Sequence, residues 1–376
     1  MLVSRPPMGW NTWNTFGENI SDALIRESAD AFVAAGLKDA GYHYIVVDDC
    51  WSKKARDPQT DELVAEPSKF PNGMKAVADY VHEKGLGFGM YSCAGQRTCA
   101  DYPGSFDHEY QDAKTFASWG VDFLKYDFCY KPEDINGQLL YRRMGMALRA
   151  CGRDILFSAC NWGSDDVWSW IRQTGAHMYR STGDIFDNPE SFHNIFDSQY
   201  PKLATSAPQC FNDMDMLTVG MFGKGLVGTT GCNAADYRTQ FALWCMCSCP
   251  LMLGCDIRAI DKDTLSLITN RDLIRIDQDE EDRPPMVLRH SWYKGMRVLI
   301  KHLSDGTYAF MFANFGETPI DAPLTFSDFG LPAHAGYDIS MRDVLDNDGE
   351  KVYREYMRVP VQPHDCRVFI GTLVAR

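Results

Sequence analysis

The sequence predicts an α/β fold, a (β/α)8 TIM barrel followed by a small antiparallel β-sandwich domain. Three observations lead to this prediction. Strand-like and helix-like stretches alternate in eight units through about the first 280 residues, which favours a closed parallel barrel. After Thr264–Ile276 the pattern changes to short alternating stretches separated by turn residues, which is typical of antiparallel sheets. The length of 376 residues suits one barrel of roughly 250 residues and a smaller domain.

The barrel strands are predicted where short apolar and β-branched runs are bounded by turn residues. In chain order these runs are Met8–Trp13, Tyr42–Asp49, Leu86–Ser92, Val121–Asp127, Ile155–Cys160, His177–Ser181, Cys210–Met216 and Leu251–Asp256.

Helical segments are predicted between and after these strands. Ser21 is a candidate N-cap for the first, while Gly85 and Gly120 are placed to end the second and third. The segments are Ile20–Ala40, Gly73–Lys84, Glu109–Trp119, Gln138–Ala150, Asp165–Thr174, Pro189–Phe196, Tyr237–Cys247 and Thr264–Ile276.

The C-terminal part is predicted to be a separate β domain. The acidic stretch Asp277–Pro285 ends in two prolines, which is typical of a domain boundary. We therefore assign residues 1–282 to the catalytic barrel and residues 283–376 to the antiparallel β domain. Its clearest strand candidates are Arg297–Lys301, Tyr308–Asn314, Tyr337–Asp343 and Arg367–Leu373.

The charge and composition restrict the partners. A formal net charge of -14 disfavours nucleic acid and anionic membrane surfaces, and it favours a neutral small molecule. No apolar run is long enough to span a bilayer, and the N-terminus lacks the pattern of a secretory signal, so we expect a cytoplasmic protein. The oligomeric state stays open, with a homo-oligomer among the alternatives.

The cysteines favour core packing over metal binding. Three of the thirteen, Cys245, Cys247 and Cys249, lie in one apolar run without nearby histidines, and the chain has no C-x2-C pair. We expect most of them to be buried thiols, and we expect neither a metal nor a cofactor.

Polar and aromatic side chains collect where the predicted strands end. Because active sites of this architecture lie at the carboxyl ends of the strands, we expect these side chains to meet at one mouth of the barrel. They are Trp10, Trp13, Asp48, Asp49, Tyr91, Lys125, Asp127, Cys160, Trp162, Arg180, Asp184, Asp213 and Asp215.

Lys125 and Asp127 are the centre of this set. They lie two residues apart at the end of an apolar strand, so both side chains point to the same face. A nearby ammonium lowers the pKa of a carboxyl, so we expect Asp127 to be ionised at neutral pH and able to act as a nucleophile.

The chemistry of the set suits a sugar. Tryptophan faces stack on the C–H faces of a pyranose, and carboxylates accept hydrogen bonds from its hydroxyls. Two carboxylates also suit glycoside hydrolysis, in which one attacks the anomeric carbon and the other acts as acid and base. For the acid, the residues alone leave four candidates open, which are Asp184, Asp187, Asp213 and Asp215.

The motifs resemble those of glycoside hydrolase family 27, which contains α-galactosidases and α-N-acetylgalactosaminidases. They occur in the order of that family across nearly the whole chain. The matching segments are Pro6–Trp13, Asp48–Trp51, Lys125–Asp127, Tyr179–Asp184, Asn212–Leu217 and Ile276–Asp279.

The resemblance implies a retaining enzyme with Asp127 as nucleophile and Asp184 as acid/base. It further implies that Trp13 forms part of the sugar platform, and that Asp48 and Asp49 bind the 4- and 6-hydroxyls of galactose. The remaining implied contacts are Tyr91 and Lys125 in the pocket lining, Arg180 near the 2-hydroxyl, and Asp215 at a ring hydroxyl or the pocket wall. We expect Asp184 to be protonated and Asp127 ionised in the free enzyme.

The segment Ser158–Gly163 is similar to the stretch that surrounds the 2-hydroxyl in plant-type α-galactosidases. By that resemblance Cys160 and Trp162 exclude an N-acetyl group, although Asn161 replaces the usual Glu. Phe128 replaces an Asn after the nucleophile, which predicts a more apolar pocket edge. Cys99 and Cys129 match a pair that is often disulfide-bonded in secreted members, and the sequence leaves their state open.

Four other functions were weighed. A β-L-arabinopyranosidase or an α-N-acetylgalactosaminidase of the same family would share the mechanism, and the intact Asp48 and Asp49 favour galactose over arabinopyranose. A metal-dependent barrel enzyme using Asp48, Asp49 and Asp127 is disfavoured by Lys125, whose charge would repel a cation. A non-catalytic sugar-binding protein is disfavoured because binding requires neither Asp127 nor Asp184.

Overall fold

A computed structural model describes residues 2–288, 295–346 and 348–376 of the chain. Its N-terminal part is a curled sheet of eight parallel strands in the order β7-β6-β5-β4-β3-β2-β1-β8. Leu217, just after β7, pairs with Leu253 of β8 and closes the barrel. The strands are β1 Met8–Asn11, β2 Tyr44–Val46, β3 Gly87–Cys93, β4 Phe123–Asp127, β5 Leu156–Cys160, β6 Met178–Arg180, β7 Phe211–Asp213 and β8 Leu251–Leu253.

Helices surround the barrel, and the predicted (β/α)8 architecture is confirmed. They are α1 Trp13–Phe16, α2 Asp22–Ala34, α3 Gly73–Glu83, α4 Glu109–Trp119, α5 Gly137–Ala150, α6 Pro189–Gln199, α7 Ala234–Met246, α8 Lys262–Ile268 and α9 Arg271–Asp277. Between β5 and β6 the connection consists of two 3-10 helices, Ser164–Ser169 and Ile171–Thr174.

Local sequence features set the helix ends. The side chain of Ser21 accepts a hydrogen bond from Leu24 N, which confirms it as an N-cap, and Gly120 ends α4 in the left-handed conformation. Two predicted helices were too long. The first ends at Ala34 because Gly36 turns the chain with a positive φ, and Thr264–Ile276 is divided where Asn270 caps a new helix.

Apolar side chains fill the amino-terminal part of the barrel interior. Apolar side chains from neighbouring strands pack there, as is usual for this architecture, and they leave the carboxyl end for polar side chains. This layer contains Val46, Phe123, Leu156, Met178, Phe211, Met216 and Met252.

The C-terminal part forms an antiparallel β sandwich. A six-stranded sheet in the order β14-β13-β16-β11-β10-β9 faces a two-stranded sheet of β12 and β15. The strands are β9 Met286–Val287, β10 Met296–His302, β11 Tyr308–Asn314, β12 Ile320–Thr325, β13 Tyr337–Asp343, β14 Glu350–Tyr353, β15 Tyr356–Val361 and β16 Cys366–Ala375.

The central strands β10 and β11 of the six-stranded sheet are buried on both faces. Along β10, Val298 and Ile300 point into the sandwich, whereas Leu299 packs with the core of the barrel. Helix α7 is buried around its circumference because it contacts β11 and β16 in addition to its helical neighbours. Across the described residues, no helix has the length and apolarity needed to cross a membrane.

Candidate active site

A pocket of about 400 Å³ opens at the carboxyl ends of the barrel strands. Ten of the residues expected from the strand ends line it, because those ends meet at one edge of a parallel barrel. They are Trp13, Asp48, Asp49, Tyr91, Lys125, Asp127, Trp162, Arg180, Asp184 and Asp215.

Three of the expected residues lie behind the pocket wall. Trp10 is fully buried in the core, where its indole N–H donates to the carbonyl of Cys255 at 2.8 Å. Cys160 and Asp213 line a smaller cavity beneath the pocket. Of the two residues expected at the sugar 2-position, Trp162 lines the pocket and Cys160 lines the cavity beneath it.

Asp127 lies at the end of β4 and is only 6% exposed. Its carboxylate accepts hydrogen bonds from the Tyr91 hydroxyl at 3.1 Å and from Phe128 N at 3.0 Å. Burial raises the pKa of Asp127 to about 6, although Lys125 and Arg180 oppose the shift. The expected lowering of this pKa was wrong in direction, because the loss of solvation exceeds the attraction of the two cations.

Lys125 is paired with a different carboxylate from the one expected. Its ammonium donates to Asp48 Oδ2 at 2.8 Å, and the same oxygen accepts from the side-chain amide of Asn11 at 2.7 Å. The other oxygen of Asp48 accepts from the backbone N–H of Asp49. These contacts fix the Asp48 carboxylate at the bottom of the pocket.

Asp49 is held by backbone donors. Cys50 N donates to its Oδ1 at 2.7 Å and Ala100 N donates to its Oδ2 at 3.0 Å. Burial raises the pKa of the Asp49 carboxyl. Ala100 belongs to the loop between β3 and α4, so this loop positions a carboxylate that lines the pocket.

Arg180 connects three sides of the pocket. Its guanidinium contacts Asp184, lies 3.2 Å from Asp215 Oδ1, and donates to the Cys160 sulfur at 3.6 Å. Burial lowers the pKa of Arg180, but the surrounding carboxylates raise it by more. The pKa therefore lies well above its ordinary value, and the guanidinium stays charged.

Asp184 is the most exposed of the pocket carboxylates described so far, with 67% of its side chain exposed. Burial of its inner part raises the pKa, but the charge and hydrogen bond of Arg180 outweigh this effect and lower it below the ordinary value. The expectation that Asp184 is protonated in the free enzyme was therefore wrong.

The other acids that the residues left open have structural contacts. Asp215 accepts from Ile185 N and Met216 N, both at 2.7 Å, while Asp213 accepts from Asp215 N. Burial and the charge of Asp215 raise the pKa of Asp213 to about 7. Asp187 is fully buried outside the pocket and accepts from the Tyr237 hydroxyl at 2.9 Å.

Several residues of the pocket wall were not anticipated. Ile185, Phe186, Leu226 and Val227 form its outer part, and the sequence around them gives only short apolar pairs between turn residues. Phe128, expected at the pocket edge, instead packs against the ring of Trp162 with centroids 6.2 Å apart. It supports the wall without forming it.

Cys99 and Cys129 form a disulfide at the rim of the pocket, which resolves the state that the sequence left open. Together with Asp127, they are the only group of three or more His, Cys, Asp or Glu side chains in the described ranges whose ligand atoms lie within 4.8 Å of one another. Asp48 and Asp49 are outside this group, so the three acids weighed above for a metal do not converge.

The comparisons with known proteins agree with this geometry. A family model described as Alpha galactosidase A matches residues 5–279, and the model of the Alpha galactosidase C-terminal beta sandwich domain matches residues 294–370. The predicted boundary at residue 282 lies between the two matches.

Individual relatives cover almost the whole chain. The chain is 40% identical over 372 residues to an alpha-galactosidase of Coffea arabica, spanning 99% of this chain and 94% of that protein. It is 39% identical to an alpha-galactosidase of Cyamopsis tetragonoloba, spanning 99% and 87%. The crystal structure of alpha-galactosidase I from Mortierella vinacea superposes with a TM-score of 0.90 at 32% identity, covering 99% and 98%. The chain belongs to the alpha-galactosidase family, glycoside hydrolase family 27.

Proposed function

We propose that this protein is a retaining exo-glycosidase that hydrolyses terminal α-D-galactosyl residues of oligosaccharides or glycoconjugates. The observation that carries the proposal is the placement of Asp127 and Asp184 in one pocket, the first buried and the second at the mouth. The relatives named as alpha-galactosidases support the sugar and the anomeric configuration.

In the first step the Asp127 carboxylate attacks the anomeric carbon while protonated Asp184 gives its proton to the glycosidic oxygen. The C1–O bond to the aglycone breaks, and a β-galactosyl ester of Asp127 forms. The Tyr91 hydroxyl and Phe128 N, which donate to Asp127, orient the attacking carboxylate.

In the second step Asp184, now ionised, accepts a proton from water as that water attacks C1 of the galactosyl ester. The ester bond to Asp127 breaks, and α-galactose leaves with its original configuration. Two inversions at C1 thus give overall retention, and both carboxyl groups return to their starting protonation states.

Preference for galactose follows from the fixed carboxylates at the bottom of the pocket. Asp48 is locked by Lys125 and Asn11, and Asp49 by two backbone donors. In the proposed complex the axial 4-hydroxyl donates to this pair. The equatorial epimer leaves a buried acceptor unpaired, and such a loss discriminates strongly between substrates.

The test is a comparison of rates on the p-nitrophenyl glycosides of α-D-galactose, α-N-acetyl-D-galactosamine and β-L-arabinopyranose, with Asp127→Asn as the blank. We expect galactose to be the fastest substrate and the blank to be inactive. Proton NMR of the first product should show α-galactose before mutarotation. A faster rate on arabinopyranose or initial formation of β-galactose would overturn the proposal.

A further inference from the structure

The outer wall of the pocket carries two large apolar side chains that are exposed to solvent. Phe186 is 47% exposed and Leu226 is 55% exposed, and both line the pocket that contains Asp127 and Asp184. Exposed apolar groups that adjoin a polar binding pocket are typical of ligand-binding surfaces.

Phe186 lies on the segment that carries the proposed acid. Asp184 is two residues earlier in the chain, and the intervening Ile185 N donates to the buried Asp215 carboxylate at 2.7 Å. Phe186 N donates to the Ser191 hydroxyl at 2.9 Å. Hydrogen bonds from two successive N–H groups, those of Ile185 and Phe186, therefore hold the backbone that carries the ring.

Leu226 lies on a neighbouring loop, which backbone contacts hold in place. Its N–H donates to Thr15 O at 3.3 Å, and the next residue, Val227, donates to Asn14 O at 3.1 Å. Gly225 allows this approach, because a Cβ there would lie 2.7 Å from the Cα of Thr15 and its φ is +84°. The loop that presents Leu226 is therefore fixed against helix α1.

The two side chains lie where a leaving group must pass. The bottom of the pocket is polar and fits the galactosyl ring, whereas the glycosidic oxygen must reach the exposed Asp184 carboxyl to be protonated. The aglycone is attached to that oxygen. It therefore extends outward along the wall that contains Phe186 and Leu226.

We propose, on the basis of the function proposed above, that Phe186 and Leu226 form an aglycone-binding surface for neutral groups that present a C–H face. A hexopyranose, an aryl ring and an alkyl chain share this chemistry, since each can pack on an aromatic ring and a branched aliphatic side chain.

The charges of the pocket exclude anionic aglycones from this surface. Among its lining residues in the described ranges are five carboxylates and two cations, and both cations are occupied by contacts inside the pocket. An anionic aglycone would lie beside Asp184 without a free cation to pair with, and the repulsion would weaken its binding.

The experiment compares leaving groups that reach the surface with one that does not. α-Galactosyl fluoride carries no aglycone, while melibiose, p-nitrophenyl α-galactoside and octyl α-galactoside carry a pyranose, an aryl ring and an alkyl chain. For each substrate the measured quantity is the ratio of its kcat/KM to that for the fluoride. The variants are Phe186→Ala, Leu226→Ala and the double variant.

We expect the ratio to fall about tenfold for at least one of the three aglycones in Phe186→Ala, which corresponds to the loss of one aromatic contact. The control is Tyr110→Ala on α4, which removes a ring that is 49% exposed outside the pocket lining and should leave every ratio unchanged. The aglycone with the largest fall identifies the natural class. The inhibition constant of free galactose, unchanged in the variants, reports an intact sugar pocket.

Unchanged ratios for all three aglycones in the double variant would overturn the inference, as would an equal loss on the fluoride and on every aglycone substrate. Failure of the underlying function gives a different result, because the wild-type protein would then release no galactose from α-galactosyl fluoride.

Discussion

The guanidinium of Arg180 contacts the carboxylate of Asp184, four residues further along the chain. This pair keeps Asp184 ionised in the free protein, while burial of Asp127 keeps that carboxyl protonated up to about pH 6. Below about pH 6 these charges are thus the reverse of those needed for the first step. The family resemblance implies that Arg180 binds near the sugar 2-hydroxyl, and in the proposed complex this contact weakens the pair and returns the proton to Asp184.

The pH profile of kcat/KM for melibiose should reflect this reversal, because kcat/KM reports the ionisation of the free enzyme. The active form of the enzyme has Asp127 ionised and Asp184 protonated. Between the lowered pKa of Asp184 and the pKa of Asp127, about 6, rising pH increases the ionised fraction of Asp127 by the same factor by which it decreases the protonated fraction of Asp184. In this range kcat/KM is therefore constant. Above pH 6 only the loss of protonated Asp184 continues. We expect kcat/KM to fall about tenfold per pH unit there.

Lys125→Met tests whether the fall in kcat/KM above pH 6, the alkaline limb of the profile, reports the pKa of Asp127. The ammonium lowers the pKa of Asp127, so its removal should raise that pKa and move the limb to higher pH. Lys114→Met, on the exposed side of α4, is the matched control and should leave the profile in place. A limb that stays at the same pH in Lys125→Met would belong to another group.

Arg180→Gln should move both limbs of the same profile to higher pH. Arg180 lowers the pKa of Asp184 and that of Asp127, so removing its charge should raise both. Arg180→Lys keeps the charge and should give a smaller displacement. If KM rises while the limbs stay in place, Arg180 contributes to sugar binding alone.

Azide should distinguish the roles of the two carboxyl groups. Asp184→Ala removes the acid, so kcat/KM on melibiose should fall about 10²- to 10⁴-fold, while p-nitrophenyl galactoside, with its good leaving group, is affected far less. Azide then attacks the galactosyl ester of Asp127 and yields α-galactosyl azide. In Asp127→Gly azide replaces the nucleophile and yields the β anomer, which proton NMR identifies. The same anomer from both variants would contradict the assignment.

Reducing the disulfide between Cys99 and Cys129 should weaken both the fold and sugar binding. The bridge spans 30 residues, so its loss lowers the free energy of unfolding by about 3–4 kcal/mol in the loop-entropy model. It also frees the loop whose Ala100 N donates to Asp49, so KM should rise. Urea unfolding and initial rates of the Cys99→Ser, Cys129→Ser double variant measure the two effects.

Cys151→Ser serves as the control for that experiment, because Cys151 is a partly buried free thiol just after α5, outside the pocket lining. A double variant that is less stable but has the KM of the wild type would show that the loop keeps Asp49 in place without the bridge.

The elements of the fold were largely predictable because their periodicity is strong. Tyr308–Asn314 and Tyr337–Asp343 were predicted with the observed bounds. The first is a continuous apolar run, the second mixes apolar and polar residues, and turn residues bound both. The strands β9, β12, β14 and β15 were not predicted. β9 and β14 are short edge strands, and β12 and β15 each contain a proline, which weakens a strand prediction.

The charged members of the pocket were predictable, whereas its apolar outer wall and its electrostatics were not. Strand ends give positions, so Asp48, Asp49, Lys125, Asp127 and Arg180 were placed at one mouth. The spacing in the sequence predicted that Lys125 pairs with Asp127, two residues away. In the structure its ammonium instead donates to Asp48, which lies at the end of a different strand. The direction of a pKa shift depends on burial and on such contacts, which arise only from the folded arrangement.

The final prediction concerns Asp187, which joins the acid-bearing segment to the loop that carries Leu226. Its fully buried carboxylate accepts from Gly223 N at 2.7 Å and from the Tyr237 hydroxyl at 2.9 Å, and its N–H donates to Val227 O at 3.0 Å. A buried carboxylate that loses a donor keeps the full penalty of its lost solvation.

Tyr237→Phe removes that donor without changing the packing of the ring, so we expect the free energy of unfolding to fall by about 1–3 kcal/mol. The rate should fall as well, because the segment Asp184–Asp187 and the loop with Leu226 lose a shared anchor. Tyr80→Phe is the matched control, since the Tyr80 hydroxyl donates to Asp30 near the surface and its removal should cost less than about 1 kcal/mol. Equal losses of stability in the two variants would show that the buried position of Asp187 carries no special penalty.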